Sequence, residues 1–338
     1  MKLNFEQIAS ATQGAVQIKE EAAGIAFYRF TDEQVELYRR EHSHYLAKVF
    51  AASGITLSFS TDSESLTLNV CLASASSRTF YSFDVMVNGR VIGYMDNVPD
   101  ADECPPTYLR EYPFGENKKT FSLGEGQKTV EIFFPWTMSV HLTELSLDDG
   151  ASFTPLPQRK KLLAFGDSIT QGLDASRPTN AYIVQTARAL GMSLYNKGIG
   201  GEFFFPELAL CREPYTPDLI TVAYGTNDWN CVPTRREYEA KCKLFFQNLR
   251  QVYPDTRIVA ISPIWRKDRD TEGKCCLFDE LKTIFAEALS PLSNVTLIHG
   301  DELVPHDPKF FSDGYLHPND AGFRFYADNL IAELKKRL

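Results

Sequence analysis

Four short segments in the C-terminal half carry side chains suited to nucleophilic chemistry. Gly166-Asp167-Ser168-Ile169-Thr170-Gln171-Gly172 offers a serine hydroxyl, and Asn196-Lys197-Gly198-Ile199-Gly200-Gly201-Glu202 offers backbone N–H groups in a glycine-rich loop. Gly225-Thr226-Asn227-Asp228-Trp229 adds a side-chain amide, and Asp313-Gly314-Tyr315-Leu316-His317-Pro318-Asn319-Asp320 adds an imidazole. A serine hydroxyl is almost entirely protonated near neutral pH, so it attacks a carbonyl well only beside a positioned base. The attack puts negative charge on the carbonyl oxygen, and each fixed N–H donor there is worth on the order of 3 kcal/mol. Taken singly, every segment has a plainer reading. A serine after a strand usually caps a helix, glycines serve tight turns or cradle phosphates, and Asn-Asp forms turns. A nucleophile, two kinds of N–H donor and a base arriving together are poorly explained by coincidence.

The elements around them decide where these groups sit. Unbroken apolar runs at Leu162–Phe165, Leu219–Tyr224, Ile258–Ile264 and Val295–Ile298 alternate with amphipathic stretches near Asn180–Leu190, Thr234–Tyr253, Leu277–Leu289 and Asn319–Leu338. Continuous apolar strands separated by helices predict a parallel sheet covered on both faces. Ligands of such sheets gather beyond the carboxyl ends of the strands, where the four segments fall.

The first half has a different texture. Ile55, Leu57 and Phe59 alternate with polar residues, as do Leu66, Leu68, Val70 and Leu72, then Phe83, Val85 and Val87. Asn88-Gly89 suits a type I′ hairpin turn before Val91 and Ile92. Val130, Ile132 and Phe134 follow, then Val140, Leu142, Leu145 and Leu147. Several short alternating strands predict an antiparallel β-sandwich, with Thr31–Arg40 as its one plausible helix. The expected organisation is a jelly-roll-like accessory domain over 1–150, a polar, proline-bearing linker over 151–160, and an α/β domain over 161–338.

With those residues in view, the chain from Lys161 to Leu338 resembles the SGNH, or GDSL-type, hydrolases. The resemblance rests on Gly166-Asp167-Ser168, Gly201, Gly225-Thr226-Asn227-Asp228 and His317, in the family's block order. It implies a flavodoxin-like α/β/α sandwich, with Ser168 as nucleophile and His317 as its base. The oxyanion donors would be the backbone N–H groups of Ser168 and Gly201 and the Asn227 amide. A β-sandwich ahead of such a domain is similar to the architecture of two-domain carbohydrate esterases. One position departs from the family: the usual Asp three residues before the histidine is Gly314 here. Either Asp313, through a loop one residue longer, or a backbone carbonyl is left to orient the ring, with Asp313 preferred. Asp167, Glu202, Asp228, Trp229, Trp265 and Arg266 are lesser candidates for substrate contact. The tryptophans would stack on a sugar or wall an acyl pocket, or else merely pack their loops.

Composition narrows the partners. The 338 residues hold 35 Lys and Arg against 44 Asp and Glu, a net charge of −9. No basic run offers a phosphate-binding face, so nucleic acid is not the expected partner. No stretch reaches the roughly 18 apolar residues of a membrane span. The N-terminal residues lack the apolar core of a cleaved signal, and seven cysteines without a metal or disulfide pattern read as free thiols, so the expected location is cytoplasmic. No metal or organic cofactor is implied, and the sandwich leaves self-association open, since its edge strands need cover. The expected activity is hydrolysis of a small acyl ester, foremost acetyl on a carbohydrate. A lysophospholipase or acyl-thioesterase, and a carbohydrate-binding protein with a degenerate hydrolase domain, are the alternatives.

Overall fold

Side-chain alternation decides which face of each N-terminal strand is buried in the structure, a computed structural model that describes residues 1–98, 110–271 and 273–337. Cys104 lies outside the described residues; the other six cysteines are free thiols. The chain forms two units, and the division is not at one point in the sequence. The first holds Met1–Thr31, Leu46–Arg159 and Ser176–Thr179; the second holds Asp32–Tyr45, Lys160–Ala175 and Asn180–Leu338.

The first unit is built from two antiparallel sheets. One runs β1 (Thr12–Gln13), β4 (Thr56–Thr61), β9 (Lys128–Phe133), β6 (Ser82–Val87), β7 (Arg90–Asp96), with β11 (Thr154–Pro155) also paired to β4. The other runs β2 (Gln17–Glu21), β3 (Gly24–Tyr28), β10 (Met138–Leu147), β5 (Ser65–Ser74), β8 (Glu116–Ser122). Successive strand residues face opposite sides, so Leu66, Leu68, Val70 and Leu72 share one buried face. They join Leu57, Phe59, Val85, Ile132 and Val140 in a single apolar core, which makes the two sheets a β-sandwich. Asn88 and Gly89 both have positive φ, as the turn closing the β6–β7 hairpin requires. Two short helices were not expected here: α1 (Phe5–Ala11), whose Asn4 and Gln7 form a capping box, and α3 (Leu46–Val49). The proline-bearing stretch is no free linker either, since β11 pairs with β4 and Arg159 bonds Glu131 at 2.9 Å.

The second unit has a five-stranded parallel sheet in the order β13 (Met192–Asn196), β12 (Lys160–Gly166), β14 (Leu219–Ala223), β15 (Arg257–Ile261), β16 (Val295–Ile298). Strands β12 to β15 are buried almost end to end, as strands covered on both faces must be. Helices α5 (Tyr182–Ala189), α7 (Arg235–Val252), α8 (Glu280–Leu289) and α9 (Asp320–Arg337) follow strands in α/β fashion. Strand order reverses beside β12, and the crevice at such a switch point is where open α/β sheets take ligands. Helix α2 (Asp32–Glu41), the helix read from the first half of the sequence, groups with this sheet. Its buried residues Gln34, Leu37 and Tyr38 lie on one helical face.

Candidate active site

Strand β12 ends at Gly166, and the chain turns at once into α4 (Ser168–Gln171). Asp167 caps that turn by accepting the Ile169 N–H at 2.9 Å. Ser168, at its first position, has Oγ 3.0 Å from Nε2 of His317. The other ring nitrogen, Nδ1, lies 2.8 Å from Oδ2 of Asp313. With Nδ1 donating to the carboxylate, Nε2 presents its lone pair to the serine hydroxyl.

The loop bearing His317 reaches this geometry by closing on itself. Phe311 and Pro318 form an antiparallel bridge, and the Ser312 N–H donates to the His317 carbonyl at 2.8 Å. Gly314 has φ +63, a left-handed conformation that costs a residue with a Cβ about 1 kcal/mol or more. That turn folds Asp313 back, so its Oδ1 accepts the N–H groups of Tyr315, Leu316 and His317 at 2.8, 2.8 and 3.2 Å. Burial alone would raise the Asp313 pKa, but the bonds from the His317 ring and the Leu316 N–H hold it at about 2. The residue at the fourth place before the histidine thus touches the ring.

The candidate donors lie on the loops after β13 and β14. Gly201 has φ +89, and among the described residues neither its N–H nor that of Ser168 has a protein acceptor. Asn227, in α6 (Thr226–Cys231), gives one amide N–H to the Glu202 carbonyl at 2.8 Å and keeps a second. The Gly200 N–H donates to Oε1 of Gln171 at 2.7 Å, and the Tyr45 hydroxyl donates to the Gly201 carbonyl at 2.6 Å.

The lesser candidates turn inward. Glu202 is buried, its carboxylate accepting the hydroxyls of Tyr38 at 2.5 Å and Tyr224 at 2.8 Å, so it does not face a pocket mouth. Asp228 is buried and holds the loop by accepting the Phe204 N–H at 3.0 Å; burial pushes its pKa up to about 7. Trp229 is fully enclosed, its indole N–H on the Cys276 carbonyl and its ring edge-on to Phe278. It is core, and a sugar cannot stack on it. Trp265 is buried against Phe311 and His306. Arg266 is a tie between loops: it grips both oxygens of Asp268 at 2.5 and 3.0 Å and donates to Thr226 and Tyr315. Phe204 and Phe205 are buried as well. Tyr45, Tyr224 and Gln171, which brace the glycine loop together with Tyr38, carry no sequence signal for that role. The one available signal was polar Gln34 and aromatic Tyr38 on the apolar stripe of α2.

Residues 164–325 match the GDSL-like Lipase/Acylhydrolase family. No curated protein matches the chain by sequence. Among solved structures, the chain is similar to the salicylyl-acyltransferase SsfX3 from a tetracycline biosynthetic pathway, at 21% identity and TM-score 0.79, over 96% of this chain and 94% of that one. A family two carbohydrate esterase from Clostridium thermocellum in complex with cellohexaose is similar at 17% identity and TM-score 0.64, over 85% and 93%. The acetyl xylan esterase Est2A from the rumen bacterium Butyrivibrio proteoclasticus is similar at 16% identity and TM-score 0.64, over 100% and 98%. At these identities the likeness is one of fold.

Proposed function

We propose that this chain, an SGNH-type ester hydrolase by virtue of its GDSL-like lipase/acylhydrolase domain at 164–325, removes a small acyl group, foremost acetyl, from a carbohydrate through Ser168, His317 and Asp313. The observation that carries the reading is the unbroken relay of hydrogen-bond distances, 3.0 Å from Ser168 to His317 and 2.8 Å from His317 to Asp313. Ser168 Oγ attacks the ester carbonyl carbon while Nε2 of His317 takes its proton. Asp313 stabilises the imidazolium so formed and fixes its tautomer. Negative charge on the carbonyl oxygen is met by the N–H groups of Ser168 and Gly201 and the remaining N–H of Asn227. The imidazolium then protonates the departing alcohol, leaving an acyl-serine. Water, deprotonated by His317, attacks that ester, and collapse releases the acid and restores the hydroxyl.

The sugar as alcohol part rests on carbohydrate esterases among the fold neighbours, which this chain matches over most of their length. The buried tryptophans lend it no support. A second reading is favoured by the higher TM-score of the acyltransferase: the same acyl-serine handed to an alcohol acceptor. Nitrophenyl esters of increasing chain length, assayed with and without an acceptor alcohol, separate these readings. Acetyl preference with release of free acid supports the proposal; a preference for long chains points to a lipid or thioester substrate. Ser168→Ala is expected to lower kcat by at least about 10³-fold. Full activity in that variant overturns the site assignment.

A further inference from the structure

The glycine loop after β13 needs something to hold it. Its candidate donor is the N–H of Gly201, which lies on the peptide plane between Gly200 and Gly201. Two adjacent glycines let that plane rotate widely, and a rotated plane aims its N–H away from the developing charge. A donor stabilises a transition state only when its direction is fixed before the reaction.

Both neighbouring planes are pinned. On one side the Gly200 N–H donates to Gln171 at 2.7 Å, one turn along α4 from Ser168. On the other side the Gly201 carbonyl accepts the Tyr45 hydroxyl at 2.6 Å, and the Glu202 N–H closes back to the Ile199 carbonyl at 3.1 Å. The next residue is gripped three times, its carboxylate by Tyr38 and Tyr224 and its carbonyl by Asn227. The carboxylate bonds of Glu202 are buried and little contested by water, and the Tyr45–Gly201 bond is partly buried. Tyr38 and Tyr45 come from Asp32–Tyr45, about 160 residues earlier in the chain, yet this segment groups with the parallel sheet.

Resting on the assignment of Gly201 as an oxyanion donor, we infer that Tyr45 is a positioning residue of the reaction. Its hydroxyl fixes the peptide planes of the Gly200–Gly201 loop, and Tyr38 supports it through Glu202. Tyr45 acts neither on substrate nor on the Ser168–His317 pair; it acts through the direction of one N–H.

The test is Tyr45→Phe in the full chain, which keeps the ring and removes one hydroxyl. An oxyanion donor deleted outright costs about 10²–10³ in kcat, so one that is kept but loosened should cost less, about 5- to 20-fold, with KM within about twofold. A lower folded fraction would also reduce kcat, so the deciding measurement compares an ester with its thionoester, in which sulfur replaces the carbonyl oxygen. Sulfur accepts hydrogen bonds weakly and draws little on the donors. The variant should therefore lose rate on the ester and much less on the thionoester, so the ratio of the two falls severalfold. A ratio equal to wild type overturns the inference, whatever the absolute rates. Ser168→Ala run alongside separates the two claims. If that variant keeps activity, the site assignment fails; if it is dead while Tyr45→Phe matches wild type in kcat and in ratio, only the role of Tyr45 fails.

Discussion

Two carboxylates at the candidate site have opposite electrostatic fates. Asp313 is pulled down to about 2, because bonds from the ring and from the loop's N–H groups outweigh the effect of burial. It is therefore a carboxylate at any pH where the enzyme would be assayed. Its share of stability is full above the ordinary aspartate value of 3.8 and is lost as pH falls through about 2. Protonation of Asp313 is therefore not the source of any fall of kcat/KM on the acid side. Asp167 goes the other way. Burial raises it to about 6 against a partial counterweight from the Ile169 N–H. Between about pH 4 and 6 the folded chain holds a proton that the unfolded chain has lost, so stability falls as pH rises through that window. A rise of roughly two pKa units corresponds to about 3 kcal/mol. Asp167→Asn keeps an acceptor for the Ile169 N–H and removes the charge. It is expected to raise Tm at pH 8, with the gain shrinking toward zero near pH 4. Thermal unfolding across that range checks it, and a pH-independent difference would remove buried charge as the cause.

At the scale of elements, the site depends on loops held to one another more than on the strands beneath them. Arg266, just past β15, meets Thr226 at the start of α6, which carries Asn227, and Tyr315 in the loop carrying His317. It is buried, paired with Asp268, and lies over the rings of Trp229 and Tyr315 at 4.7 and 5.4 Å. A lysine has no planar fork and cannot serve these partners together. Arg266→Lys is expected to cost on the order of 2–4 kcal/mol in denaturant unfolding, with kcat falling about tenfold and KM nearly unchanged. Wild-type stability and kcat would deny Arg266 that role. These ties also mark what sequence could tell. Strands β12, β14, β15 and β16 are legible because their runs are almost wholly apolar, broken only by Thr221 and Thr296. Strand β8 is not, since Glu116-Asn117-Lys118-Lys119-Thr120-Phe121-Ser122 buries only Phe121 and otherwise looks like loop. Motif spacing singled out Ser168, Asn227 and His317. Trp229 and Trp265 stand out because they follow strands, and Arg266 because it adjoins Trp265, but proximity in sequence says nothing about which way a side chain turns. Tyr45 was invisible because its partner is a backbone carbonyl about 160 residues away.

Over the whole molecule, the two units are drawn from exchanged pieces of sequence, so the chain cannot be cut at residue 150 without splitting a unit. Helix α2 supplies Gln34 to a buried ion pair of the second unit. Lys197 and Glu213 meet at 2.8 Å with neither side chain exposed, and Gln34 bonds both, at 2.9 Å to the lysine and 2.8 Å to the carboxylate. Lys197 opens the glycine loop, so the pair joins α2 to the segment that carries Gly201. Charges this deep are held by geometry, because desolvation offsets much of their attraction. Removing one partner strands the other in a medium that solvates it poorly. Lys197→Met is therefore expected to destabilise the full chain by about 3–5 kcal/mol. Adding Glu213→Leu to that variant should recover most of the loss, since neither charge of the pair is then left without the other. Denaturant midpoints of the wild type and both variants measure the two steps. A double variant no more stable than the single one would mean that the ion pair itself, and not the avoidance of a stranded charge, holds α2 in place. Activity is expected to follow stability only partly in the double variant, because Gln34 would lose its bonds to Lys197 and Glu213 while Tyr38 and Tyr45 keep theirs to the glycine loop.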